Sequence, residues 1–189
     1  MTIGSVPPNE HFNCVRNVTF SDITFHHPIK GIYLKTNPGT KGSGIISDIT
    51  YENIWMHNPI WWAIYIGPQQ QEQPDGAGPG CMLYPLTACE TQPRVPFKNI
   101  KLRNVHSTGG ILPSGIIRCN ETNPCHGFEF TNVTTSSLMD KLGYGYITEN
   151  IYGIAENSSP NPDFKAETGV VDWFVRAVKG AIKGIKRDQ

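Results

Sequence analysis

Apolar and polar residues alternate along several stretches of the chain, and these stretches resemble one another. Three of them align without gaps, as VRNVTFSDITF from Val15, ISDITYENIWM from Ile46 and FKNIKLRNVHS from Phe97, and CHGFEFTNVTT from Cys125 is a degenerate fourth copy. Alternation with a period of two predicts β-strands, because successive side chains point to opposite faces. The apolar columns are Val15, Ile46 and Phe97; Val18, Ile49, Ile100 and Phe128; Phe20, Tyr51, Leu102 and Phe130; and Ile23, Ile54, Val105 and Val133.

A second, shorter strand lies between these copies, as GIYLKT, AIYIGP and GIIRCN. We align these segments on Gly31, Ala63 and Gly115, although Arg118 then falls in an apolar column. The copies of the longer strand begin 31, 51 and 28 residues apart, and a Gln- and Gly-rich insertion after Ile66 explains the long interval. Two short strands per repeat, with no helix between them, predict a solenoid of stacked parallel strands.

Asn or Asp fills two further columns of the longer strand. These side chains tolerate left-handed backbone and can hydrogen-bond from one coil to the next, so we expect the columns to mark the corners of the coils. A β-sandwich is the alternative all-β fold, but it does not explain why whole coils align in register. The columns contain Asn17, Asp48 and Asn99, and Asp22, Asn53, Asn104 and Asn132.

The repeat is no longer recognisable after Asn150. We therefore assign residues 1–155 to the solenoid and residues 156–189 to a linker followed by an amphipathic helix with Thr168 as its N-cap. We expect this helix to cover the open end of the solenoid, with a basic surface-binding helix and a frayed tail as the alternatives. Its apolar stripe comprises Val170, Phe174, Val178, Ala181, Ile182 and Ile185.

Composition excludes several classes of function for this chain of 189 residues. Sixteen basic residues balance sixteen acidic ones, so no net charge attracts the chain to nucleic acid or to an anionic membrane. No apolar run approaches the ~20 residues of a membrane span, so we expect no membrane partner. The six histidines show no metal-ligand spacing with the cysteines or carboxylates, and we expect no cofactor.

Cysteine spacing favours an oxidising compartment. Cys81 and Cys89 bracket one loop and Cys119 and Cys125 bracket another, which suggests two short-range disulfides, while Cys14 is left over. The first residues lack the features of a secretory signal, so we expect an extracellular protein whose signal peptide is missing from this sequence. The N-glycosylation triplets begin at Asn17, Asn120, Asn132 and Asn157.

The segments TIGSV, VRNVTFSDITF and GIYLKTNPGTKGSGIISDITYENIWM resemble the C-terminal half of glycoside hydrolase family 28, the polygalacturonases and related pectinases. The resemblance covers about residues 2–135, and CNETNPC is similar to a disulfide-closed segment of that family. It implies a right-handed parallel β-helix of about four coils. It also implies inverting hydrolysis of a pectin-type polysaccharide such as polygalacturonate, outside the cell or in the cell wall.

The family is characterised by four motifs in order: Asn-Thr-Asp, Asp-Asp, Gly-His-Gly and Arg-Ile-Lys. The first three do not occur in this chain, and the fourth is matched by Tyr33, Leu34 and Lys35, with Tyr33 in place of the arginine. The resemblance therefore implies that Lys35 binds a substrate carboxylate; a merely solvated lysine is the alternative. We name no catalytic residue and expect the chain to be inactive alone, with a non-catalytic polysaccharide-binding module and a truncated gene product as the alternatives.

Aromatic residues next to Lys35 are further candidates for substrate binding. Tyr33 shares the outward face of its strand with Lys35, and Tyr65 lies one coil further on. Their rings could stack on a sugar, or on each other across the sheet. Trp61 and Trp62 precede the second short strand, and packing at a coil corner is the role favoured for them, with sugar contact as the alternative.

Overall fold

The computed structural model describes residues 1–7, 9–72 and 80–167, and it consists of two parallel β-sheets between which the chain alternates. The short sheet contains, in spatial order, β1 (Thr2–Val6), β3 (Ile32–Thr36), β5 (Ile64–Pro68), β7 (Gly115–Arg118) and β9 (Tyr146–Glu149). The long sheet contains β2 (Phe12–His26), β4 (Ser43–His57), β6 (Phe97–Thr108), β8 (Cys125–Ser136) and β10 (Ile151–Glu156). A single helical turn, α1 (Leu138–Lys141), follows β8. The predicted parallel β-helix is confirmed.

Strand register places the repeated apolar residues directly above one another. Ile49 pairs with Val18 on one side and with Ile100 on the other, and Ile100 pairs in turn with Phe128. The other three columns pair in the same way. Their side chains meet Ile32, Leu34, Ile64 and Ile66 from the short sheet in one buried core, so the repeat is the periodic core of the solenoid.

The Asn and Asp columns form the corners of the coils. All seven residues adopt left-handed backbone with φ between 52 and 58°. Asn104 Nδ2 donates to Asn53 Oδ1 at 2.8 Å, and Asn53 Nδ2 donates to Asp22 Oδ1 at 2.9 Å. In the other column, Asn99 Nδ2 donates to Asp48 Oδ1 at 2.8 Å. The prediction of corner residues joined by side-chain hydrogen bonds is confirmed.

The solenoid extends one coil beyond the repeat found in the sequence. Strands β9 and β10 pair in parallel with β7 and β8, so each sheet has five strands although the sequence repeat is not recognisable after Asn150. The apolar columns fade in β10 because Gly153 pairs with Phe128 and Ala155 pairs with Phe130. A Cβ on Gly153 would lie 2.2 Å from the Phe128 carbonyl oxygen, so the close approach of the strands requires glycine there.

Residues 157–167 pack against the last coil instead of forming a linker. The ring of Phe164 lies edge-on to Phe128 and Phe130, with centroid distances of 5.9 and 5.1 Å. Lys165 forms a parallel bridge with Tyr152. Phe164 thus covers core residues at this end of the solenoid. The predicted helix from Thr168 onward lies outside the described residues.

Candidate functional site

Two columns of side chains run along the outer face of the short sheet. One contains Tyr33, Tyr65 and Ile116, and the other contains Lys35, Gly67 and Arg118. The register pairs Gly115 with Ile64, not with Ala63 as we aligned them. This shift of one residue moves Arg118 out of the apolar column of Leu34 and beside Gly67, into the column of Lys35.

Lys35 has glycine as its neighbour on both adjacent strands. It pairs with Gly67 on β5, and Gly4 on β1 approaches from the other side with φ of 106°. A Cβ on Gly4 would lie 2.1 Å from the Lys35 carbonyl oxygen, so only glycine fits. Because neither position carries a side chain, neither occupies the space beside the Lys35 side chain. Lys35 is half-buried, and the ammonium of a lysine on this outer face is suited to binding a carboxylate.

Tyr33 and Tyr65 are buried on this outer face. Tyr65 has no exposed surface and Tyr33 has 5%, and their rings meet edge to face with centroids 5.3 Å apart. The Gln70 backbone N–H donates to the Tyr33 hydroxyl at 2.8 Å, so the segment after β5 lies against this ring. Burial raises the pKa of Tyr33 to about 12. The burial argues against the expectation that these rings are open sugar platforms, and Tyr33 instead supports Lys35, whose Nζ lies 5.5 Å from the ring centroid.

Arg118 anchors the Cys81–Cys89 loop next to the Lys35 column. Its Nε lies 2.8 Å from Glu149 Oε2, its Nη2 donates to the Cys89 carbonyl oxygen at 3.0 Å, and its guanidinium lies 3.6 Å from the Tyr84 ring centroid. Tyr84 also donates its hydroxyl hydrogen to Glu149. Sequence reasoning missed this cluster because the misaligned strand assigned Arg118 to an inward position.

The two tryptophans before β5 have different environments. Trp62 is 5% exposed and packs with Tyr33 and Tyr65, which agrees with the packing role favoured for it. Trp61 is 37% exposed, and its Nε1 donates to Gln70 Oε1 at 3.0 Å. The indole of Trp61 is therefore fixed in orientation while part of its surface faces solvent.

Three acidic residues of the long sheet have structural roles. Asp22 and Asp48 are corner residues, and hydrogen bonds from Asn99 and Ser47 lower the pKa of Asp48. Glu129 forms an ion pair with Lys101 at 3.2 Å. Within residues 1–7, 9–72 and 80–167, no group of three His, Cys, Asp or Glu side chains could hold a metal ion, and no helix is suited to span a membrane.

The structure contains both disulfides that the spacing suggests, Cys81–Cys89 and Cys119–Cys125, while Cys14 is free and exposed. The glycosylation candidates differ in their surroundings. Asn17, Asn132 and Asn157 are exposed at left-handed corners, whereas Asn120 is half-buried and donates to Thr91 Oγ1 at 3.0 Å.

We expect peptide mapping of secreted protein without reduction to recover both disulfide pairs and to find Cys14 as the alkylated thiol. Each bond closes a short loop and should contribute about 2 kcal/mol in the chain-entropy account. Under mild reduction Cys81–Cys89 should open first, because Cys119 and Cys125 are both buried whereas Cys89 is half-buried. Recovery of all five thiols in alkylated form before reduction would contradict the assignment to an oxidising compartment.

Comparison with known proteins identifies the family. The model of glycosyl hydrolases family 28 matches residues 1–144, and the chain belongs to this family. It is 32% identical over 139 residues to endopolygalacturonase I of Aspergillus aculeatus, covering 72% of this chain and 32% of that protein. It is 25% identical over 176 residues to a polygalacturonase of Chamaecyparis obtusa, covering 87% and 31%. The chain thus spans about a third of the length of these relatives, and no solved structure matches it.

Proposed function

We propose that this chain forms the substrate-binding part of a pectin-type glycoside hydrolase and binds galacturonan through Lys35. The observation that carries the proposal is the position of Lys35, outward on the short sheet with glycine on both neighbouring strands. Family membership supports it, since Lys35 matches the lysine of the family's fourth motif. A polymer with one carboxylate per sugar is complementary to a fixed ammonium.

We further propose that this chain alone does not cleave the polymer. Inverting hydrolysis requires one carboxylic acid to protonate the leaving oxygen and one carboxylate to activate water. The Asn-Thr-Asp and Asp-Asp motifs, which supply these carboxyl groups in the family, are absent from the chain's 189 residues, as is the Gly-His-Gly motif with its histidine. The acids Asp22, Asp48 and Glu129 belong to the long sheet, whereas Lys35 belongs to the short one.

The test is a binding assay and a reducing-end assay on the same preparation. We expect polygalacturonate to bind weakly, to bind less as salt rises because charges are screened over ~10 Å at 0.1 M, and to release no new reducing ends. Release of reducing ends by the 189-residue chain would overturn the proposal that this chain alone does not cleave the polymer. Absence of any salt-sensitive binding would overturn the Lys35 contact.

A non-catalytic polysaccharide-binding module is the second candidate, and the absence of the three catalytic motifs favours it. The upstream genomic sequence discriminates between the two. Asp-Asp and Gly-His-Gly motifs encoded in frame with this chain would support a hydrolase, and their absence would support the binding module.

A further inference from the structure

A pocket opens beside Tyr33, and nothing in the family's four motifs corresponds to it. Its volume is about 220 Å³. It combines aliphatic walls, one partly exposed indole, two amide side chains and one lysine. We call it the Trp61 pocket, and its lining includes Ile29, Lys30, Ile60, Trp61, Gln70 and Gln71.

Backbone hydrogen bonds hold together the turns that carry Lys30 and Trp61 on adjacent coils. The Ile60 N–H donates to the Pro28 carbonyl oxygen at 2.8 Å, and the Trp61 N–H donates to the Ile29 carbonyl oxygen at 3.0 Å. These bonds join the turn before β3 to the turn before β5. The pocket is therefore part of the repeating scaffold, which holds its side chains in place.

Gln70 connects the pocket to the site around Lys35. Its backbone N–H donates to the Tyr33 hydroxyl, and its Oε1 accepts from the Trp61 indole. The Gln70 side chain is 1% exposed, and its Nε2 has no acceptor among the residues described in the structure. A buried amide donor without a partner is unfavourable.

Lys30 gives this pocket a positive charge close to that of Lys35. Its Nζ lies 4.3 Å from the Tyr33 ring centroid and donates to Gln71 Oε1 at 2.9 Å. The Lys35 Nζ lies 5.5 Å from the same centroid, so the two ammonium groups are no more than about 10 Å apart. Partial burial and repulsion from Lys35 lower the pKa of Lys30 to about 8. A carboxylate placed beside Lys30 would relieve both effects.

We infer that the Trp61 pocket is a second uronate subsite, in which a sugar ring packs on the Trp61 indole and its carboxylate binds Lys30. The inference rests on the proposed function, because it assigns a neighbouring unit of the same anionic chain to this pocket. An aromatic face, amide side chains and a cation together match the apolar face, hydroxyl groups and carboxylate of a uronic acid.

The test measures the affinity of the 189-residue chain for galacturonate oligomers of increasing length. We expect the affinity of the unmodified protein to rise once an oligomer is long enough to contact both lysines. Lys30→Met should lower the affinity for the longer oligomers by about tenfold, the effect of losing one charge-assisted contact. Trp61→Ala removes the aromatic face on which the sugar ring packs and should also lower that affinity. Both variants should bind the shortest ligand as the unmodified protein does.

Control variants separate the pocket from general effects of charge and folding. Lys98→Met removes an exposed charge from β6 on the long sheet and should bind every oligomer normally. Trp61→Phe keeps an aromatic face while losing the bond to Gln70, so it should retain more affinity than Trp61→Ala. Circular dichroism of each variant checks that the β-helix is intact.

The failure of this inference can be told apart from the failure of the proposed function. Normal binding of long oligomers by folded Lys30→Met and Trp61→Ala would overturn the second subsite and leave the Lys35 contact standing. Normal binding by Lys35→Met, with weakened binding by Lys30→Met, would overturn the Lys35 contact alone. Failure of the unmodified protein to bind any oligomer would overturn both.

Proton uptake gives a readout that a structural role for Lys30 would not produce. Lys30 faces Lys35 and the Tyr33 ring, and Tyr33 stays neutral at pH 8.5 because its pKa is about 12. At that pH free Lys30, with a pKa of about 8, is mostly uncharged, and a bound carboxylate would raise its pKa. Calorimetry in two buffers should therefore show proton uptake on binding, and Lys30→Met should reduce it. Equal uptake by both proteins would contradict the contact.

Discussion

Lys35→Met is expected to weaken binding of oligogalacturonate by roughly ten- to a hundredfold, because a hydrogen bond to a charged group is worth about 1.5–3 kcal/mol. Methionine keeps much of the apolar stem of lysine and removes the ammonium. Gly4 and Gly67 add no side chains that could replace the lost contact. The dissociation constants of the two proteins, measured by calorimetry at low salt, give the effect directly.

Two controls make the Lys35 result specific. Lys41→Met removes an exposed charge from the turn between β3 and β4, and it should change the affinity much less. Fully methyl-esterified oligomers lack the carboxylate charge, so they should bind weakly and lose little affinity in either variant. Equal affinity of Lys35→Met and the unmodified protein for non-esterified oligogalacturonate would contradict the contact. Lys35 would then be a solvated lysine on the outside of a β-coil.

Asn104→Ala is expected to lower the free energy of unfolding by roughly 2–4 kcal/mol. Alanine disfavours left-handed backbone, and it removes the ladder of side-chain hydrogen bonds between the corner residues. Asn104 adopts φ of 52°, which costs alanine roughly 1–2 kcal/mol. Its Nδ2 donates to Asn53, and its Oδ1 accepts from Asn132 at 3.0 Å and lies 2.7 Å from His106 Nε2. Denaturant unfolding of the two proteins measures the difference.

Asn104→Gly separates the two contributions. Glycine adopts left-handed backbone without steric cost, so this variant loses the side-chain bonds and avoids the steric strain of alanine. We expect its stability to lie between those of the unmodified protein and Asn104→Ala. If both variants are as stable as the unmodified protein, the ladder of side-chain hydrogen bonds does not stabilise the coils.

The long sheet could be predicted because its core and its corners repeat in the sequence. Ile49, Ile100 and Phe128 occupy the same column in sequence and in structure. The corner residues Asn53 and Asn104 were recognisable because a left-handed position favours Asn over most side chains. Each coil requires an apolar or an Asn-type residue at the same positions, so three or four copies make these positions visible in the sequence.

The fifth coil and the position of Arg118 could not be predicted from the same pattern. Gly153 and Ala155 interrupt the apolar columns, because the core at the last coil is completed by Phe164 from a later segment. Arg118 was misaligned because β7 is only four residues long and one residue shifts its register. Short strands carry too few repeated positions to fix the register from sequence.

The candidate site was predicted in part. The alternation of Ile32, Tyr33, Leu34 and Lys35 gave the outward direction of Lys35, since this direction depends only on strand geometry. The burial of Tyr33 and Tyr65 depends on how the insertion after β5 packs against the short sheet. No local sequence pattern specifies this packing. For the same reason, the neighbouring pocket of Lys30 and Trp61 became visible only in the folded chain.

The most direct test of the central claim is a crystal structure of this chain soaked with trigalacturonate at low salt. The account predicts a galacturonate carboxylate oxygen about 2.7–3.2 Å from the Lys35 Nζ, on the outer face of the short sheet. A trisaccharide that is ordered elsewhere, for example on the long sheet, with Lys35 making no contact to it, would contradict the account.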